Sequence, residues 1–123
     1  MPRNRRKICK FRNSAFAQQA GRCHYCDQPM WLSDPGEYSA KYGLTIREAA
    51  RFQRTAEHLL ARKDGGGDES KNIVAACRFC NHGRHARAKP LSPERYQALV
   101  RRRLKARRWH GARLLSRLGD RLA

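Results

Sequence analysis

Two cysteine pairs, Cys23-His-Tyr-Cys26 and Cys77-Arg-Phe-Cys80, set the strongest limit on how this chain folds. Each C-x-x-C places two thiolates on one tight turn, close enough to occupy two corners of a tetrahedron around one ion. Together the two turns make a closed four-sulfur site, in which Cys23, Cys26, Cys77 and Cys80 fill every coordination position of a zinc ion that is therefore structural. Fifty residues separate Cys26 from Cys77, more than an ordinary zinc-ribbon loop holds, so the metal is expected to clamp a folded segment. Cys9 is left over as a free thiol.

Charge narrows the partner. The 123 residues carry a formal net charge of +18 and a pI near 11.0, which calls for a polyanion, because self-repulsion on that scale disfavours a compact chain. Residues 1–12 contain six Lys or Arg and no acid, and residues 84–123 contain thirteen against Glu94 and Asp120. The interval 13–83, with nine basic and eight acidic residues, is near neutral. This pattern predicts a basic arm over 1–22, a core over 23–90 and a basic helical extension over 91–123. The segment "VRRRLKARRWHGAR" reads as a helix that tracks phosphates, with Arg84, Arg87, Lys89, Arg101, Arg102, Arg103, Lys105, Arg107 and Arg108 as the expected nucleic-acid contacts. The basic start has no apolar stretch behind it, and no apolar run is long enough to span a bilayer. The expectation is a cytoplasmic protein with no membrane association and with reduced thiols.

Local signals place the elements. "SAFAQQA" predicts a short helix after the arm, and Ser33-Asp34-Pro35-Gly36 predicts a turn. Thr45 and Glu48 form a T-x-x-E capping box, which predicts a helix over Ile46–Phe52 that serves packing. "QRTAEHLLAR", the glycines after Asp64 and the β-branched run "NIVAA" predict a hairpin. "NHGRHARA" is expected to be helical up to Pro90. Ser92-Pro93-Glu94 starts a further helix, with Tyr96, Leu99, Val100 and Leu104 on one face, and Leu115, Leu118 and Leu122 mark a last one.

The stretch "TAEHLLARKDGGGDESKNIVAACRFCNHGRH" resembles the HNH endonuclease superfamily, also called ββα-metal or His-Me finger nucleases. It has an acid-His pair, a glycine loop, an Asn ahead of a second strand, and C-x-x-C followed at once by Asn and His. The resemblance covers roughly half the chain, residues 55–85 with the upstream pair Cys23/Cys26, and leaves out both basic flanks. It implies a small α+β protein, a zinc-stapled ββα-metal (HNH) core with basic helical flanks, that hydrolyses phosphodiester bonds in double-stranded DNA. By the same resemblance His58 is the general base, Glu57 and Asn81 hold one catalytic Mg²⁺ or Mn²⁺, and Asn72 braces the hairpin loop. These residue types suit such chemistry, since imidazole titrates near neutral pH and carboxylate and amide oxygens are hard ligands.

Two departures stand out. The acid is Glu57 where Asp is commoner, and the third signature position is Asn81, giving H-N-N rather than H-N-H. His82 and His85 stand close by, and His85, one helical turn beyond Asn81, is a further metal-ligand candidate. Neighbouring residues on a regular strand point to opposite faces, so Glu57 and His58 share a site only where the strand ends, bulges or twists. Short HNH proteins often need a second copy to cut both strands, which brings in a homodimer as an expectation. The alternative reading is a non-catalytic zinc-ribbon module that binds DNA or RNA. A packaging protein, indifferent to Glu57, His58 and Asn81, is a third.

Overall fold

The computed structural model describes residues 4–119, a mixed helix and strand fold with one two-stranded antiparallel sheet. Strand β1 (Arg54–His58) pairs with β2 (Ile73–Cys77), with Arg54 opposite Cys77 and His58 opposite Ile73. Helices precede and follow this hairpin: α1 (Arg5–Gln18), α2 (Pro35–Tyr42), α3 (Ile46–Ala49) running into a 3-10 turn at Ala50–Phe52, α4 (Arg78–His85), α5 (Pro93–Lys105) and α6 (Ala112–Leu118).

The cysteine turns are the hub of the core. Cys23, Cys26, Cys77 and Cys80 are buried with Tyr25, Ala75 and Ala76 from the middle of the chain, Ala15 from α1, and Tyr96, Val100, Leu104, Trp109 and Leu115 from the C-terminal third. Both cationic flanks thus contribute side chains to the core that holds the cysteines. α1 begins at Arg5, capped by the Asn4 side chain, which accepts from the Lys7 N–H at 3.1 Å, and it buries Ile8 and Ala15. A second cluster joins Tyr38, Leu44, Ala49 and Phe52 to Leu114 and Leu118 of α6. Leu122, expected on that last helix, lies outside the described residues.

Thr45 and Glu48 form the capping box as expected, each side chain bonded to the other's backbone N–H. Ser33-Asp34-Pro35-Gly36 is a helix start rather than a turn: Asp34 caps the Glu37 N–H at 3.0 Å, and Pro35 takes the first helical position, where its missing N–H costs nothing. α4 starts earlier and ends sooner than expected. Cys77 is its cap, through a bond from the Cys80 N–H to the Cys77 sulfur at 3.4 Å, and the helix stops at His85. The hairpin loop depends on Gly66, whose N–H reaches the Ala61 carbonyl at 2.9 Å, and any Cβ there would lie 1.7 Å from the Leu60 carbonyl oxygen.

His110 gives the fold a pH dependence. Its ring lies 4.7 Å from that of Phe52 and 5.0 Å from that of Phe79, and its backbone sits at φ +67°. Arg51 donates to Nδ1 at 3.3 Å, which puts the ring proton on the buried Nε2. Burial first, and the Arg51 charge second, push its pKa down from 6.5 to about 3. The unfolded chain takes up this proton near pH 6.5 and the folded chain does not. The contribution is therefore full above pH 6.5 and is lost as pH falls toward 3, at up to about 1.4 kcal/mol per pH unit. His110→Asn, which tolerates positive φ and does not titrate, is expected to flatten the acid limb of stability by up to that slope, measured as urea midpoints across that range.

Candidate metal centre and active site

The four cysteine sulfurs all lie within 4.8 Å of one another in full burial, and Cys26 and Cys77 are 3.9 Å apart, close to the ~3.8 Å edge of a tetrahedron with ~2.3 Å zinc–sulfur bonds. N–H groups already point at these sulfurs. Cys77 N–H donates to the Cys23 sulfur at 3.2 Å, Tyr25 N–H to the same sulfur at 3.4 Å, and the Trp109 indole to the Cys80 sulfur at 3.3 Å. Such donors stabilise thiolates and orient them. Burial pushes the Cys26 and Cys80 thiols well up, whereas at Cys23 burial is outweighed by hydrogen bonds from the other three cysteines. Four thiolates share so dry a space only around a cation. The donor set thus fits a structural metal such as zinc.

Beside this centre the hairpin and α4 converge on a cavity of about 320 Å³, bordered by Glu57, His58, Asn81 and His85 with Ala61, Arg62 and Lys63. β1 ends at His58, and this lets the adjacent Glu57 and His58 reach the same cavity. His58 Nε2 is 2.9 Å from Asp68 Oδ1. The His58 hydrogen bond holds the Asp68 carboxyl below its usual range, so Asp68 is the acceptor and His58 Nε2 the donor of this bond. Asn72 ties the loop together: its amide donates to the Leu60 and Gly67 carbonyls, and its oxygen accepts from the Leu60 N–H at 2.8 Å. Asn81 turns its amide nitrogen to Thr55 Oγ1 at 3.0 Å and to the Ala56 carbonyl at 3.1 Å.

Glu57 differs most from expectation. It is 1 % exposed. Oε2 accepts from Arg84 at 2.9 Å and from the Tyr25 hydroxyl at 2.8 Å, and Oε1 lies 2.7 Å from His85 Nε2. Burial, then the Glu57 charge, raise the Tyr25 hydroxyl, which keeps it a donor. Both carboxylate oxygens are thus hydrogen-bonded, Oε2 to Arg84 and Tyr25 and Oε1 to His85, the partner that also borders the cavity.

Arg84 is also corrected: expected on a phosphate, it is 5 % exposed and spends its guanidinium on Glu57 and on the carbonyls of His58, Leu59 and Leu91. Arg101 bonds to the carbonyls of Tyr25 and His24, so it too is partly structural. Arg87, Lys89, Arg102, Arg103, Lys105, Arg107 and Arg108 are exposed. Asp68 and Tyr25 were not among the residues expected from the sequence. Their only hints there were an acid ten residues past His58 beyond the glycines, and an aromatic inside the first cysteine pair.

Breaking a buried ion pair from one side leaves the other charge without compensation, at about 3–5 kcal/mol. Glu57→Ala, which strands Arg84, is expected to destabilise the fold by about that amount, measured by urea unfolding of the zinc-loaded protein. Among the described residues no helix is long and apolar enough to cross a membrane. Comparisons of the chain with protein-family models, with curated proteins and with solved structures found no match, so the reading of the site rests on its own residues.

Proposed function

We propose that the protein is a metal-dependent endonuclease of the HNH type that hydrolyses phosphodiester bonds in duplex DNA. The observation that carries the reading is His58, held by Asp68 through Nε2 at the rim of a cavity that also receives Glu57, Asn81 and His85. With Nε2 occupied by the carboxylate, Nδ1 is free to take a proton from an attacking water. Asp68 would fix the ring and offset the imidazolium charge that follows. Asn72 would keep the glycine loop, and Asp68 within it, in register with His58.

Glu57 Oε1, His85 Nε2 and the Asn81 amide oxygen would suit a divalent ion such as Mg²⁺ or Mn²⁺ once the proton that His85 Nε2 now donates to Glu57 Oε1 is displaced. Such an ion would supply charge stabilisation to the phosphate and the departing oxygen. Arg62 and Lys63, on the same rim, would offset the remaining phosphate charge.

Supercoiled-plasmid cleavage by zinc-loaded protein tests this, with EDTA and with His58→Ala beside it. Nicking that needs a divalent ion and His58 supports the nuclease. A second reading, a non-catalytic nucleic-acid-binding module, is favoured by the commitment of Glu57 Oε2 to Arg84 and Tyr25. Under it plasmid is bound and left intact in any divalent ion.

A further inference from the structure

We propose that the trough between α1 and α4, floored by β1, is the seat of a phosphate backbone of duplex DNA and leads it to His58. The proposal deepens the nuclease reading and rests on it for the choice of DNA.

The trough has a volume of about 520 Å³ and gathers Arg5 and Arg12 from α1, Arg54 and Thr55 from β1, and Arg78 and His82 from α4. Among the described residues four guanidinium groups line it and no carboxylate does. The Nε atoms of Arg12 and Arg54 are buried with no hydrogen-bond partner among the described residues. Arg54 is fixed by a 2.7 Å bond to Asn13, so it does not simply swing away into water. Burial, and after it the Arg12 charge, lower the Arg54 guanidinium. Like charges gathered in one trough, two of them half-buried with unmet Nε donors, repel one another until an anion joins them, and phosphate matches both the charge and the forked donors of arginine.

Geometry connects the trough to the chemistry. His58 and Ala56 border both the trough and the cavity of about 320 Å³, so a strand lying on the arginines passes directly to the proposed base. In the other direction Arg78 and His82 also border a third hollow, of about 420 Å³, with Arg47 and Arg51, which extends the cationic path around α4. No Phe, Tyr or Trp lines the trough among the described residues. Single-strand binders stack bases on such rings, so this surface suits the outside of a duplex and not splayed bases. It also differs from the α5 surface to which the charge count pointed, where Arg101 is spent on backbone carbonyls.

Binding of the whole zinc-loaded chain to a short DNA duplex, followed by fluorescence anisotropy across a salt series, tests the proposal. Each lost phosphate contact lowers the slope of log K against log salt by about 0.9. Arg12→Ala/Arg78→Ala is expected to lower it by about 1.8 and to weaken binding at every salt concentration. Arg78→Ala alone, at an exposed position, is expected to lower it by about 0.9. An unchanged slope in both trough variants, with the loss appearing instead in Arg102→Ala/Arg103→Ala, overturns the proposal, as does tighter binding of matched single-stranded DNA. Cleavage separates the two readings. A loss of slope in the trough variants, with wild-type protein that cuts nothing, removes the nuclease and leaves the trough. Protein that cuts while the trough variants keep the full slope removes the trough and leaves the nuclease.

Discussion

Chelation of the four-cysteine metal, or Cys77→Ser, is expected to abolish cooperative unfolding and leave a chain without fixed side-chain packing. Structural zinc in small domains carries apparent binding free energies of about 10–16 kcal/mol, against total stabilities of about 5–15 kcal/mol for ordinary domains. Here the loss would be compounded, because the cysteines are the centre of the main core and not a clip on its edge. Without the ion, the burial that raises Cys26 and Cys80 returns them to thiols, and the N–H groups of Tyr25, Cys77 and Trp109 face sulfurs with little charge. Near-UV circular dichroism and metal content, followed together during chelator titration, check this: one metal per chain and coincident loss are expected. Cys9→Ser, at an exposed cysteine, should leave both unchanged. A sharp melt that survives complete metal removal would refute the structural role.

His58→Ala is expected to lower the cleavage rate by about 10²- to 10⁴-fold, the usual contribution of a positioned base, while duplex binding stays within error of wild type. Asp68→Asn removes the charge from the bond to His58 Nε2 and keeps the shape. A hydrogen bond to a charged group is worth about 1.5–3 kcal/mol, so kcat should fall about 10- to 150-fold with KM nearly unmoved, and Asp68→Glu should restore part of it. A merely structural Asp68 would instead change stability or KM and leave kcat alone. Equal cleavage by His58→Ala and wild type would end the catalytic reading.

The parts of this molecule that were readable in the sequence are those written in short spacings. Two C-x-x-C pairs specify that their turns meet, T-x-x-E specifies the start of α3, Ser-Pro-Glu that of α5, and a glycine loop between β-branched runs specifies the hairpin. The misreadings have a different origin, since they concern groups whose meaning comes from distant partners. Arg84 looks like any cation in a basic run, and only the fold places Glu57, 27 residues away, under its guanidinium. The end of α1 was legible in "SAFAQQA", but its first half hid because it buries only Ile8, set in a run of arginine and lysine. Asp68 lies in a loop without period, and its pairing with His58 is made by the Asn72 bracing of that loop.

The placement of Trp109 and Leu115 in the same core as Cys23 and Ala15 makes the folding of this chain a matter of timing. During synthesis the first cysteine pair emerges long before the second, and even a nascent chain that holds all four still lacks Tyr96, Val100, Leu104 and the indole that donates to Cys80. Contacts so far apart in sequence close late and together. The core around the cysteines is therefore complete only when the chain as far as Leu115 is available to fold. A chain cut short before α5 and α6 is expected to lack the packing that surrounds the cysteines, and with it the proposed DNA-cutting ability.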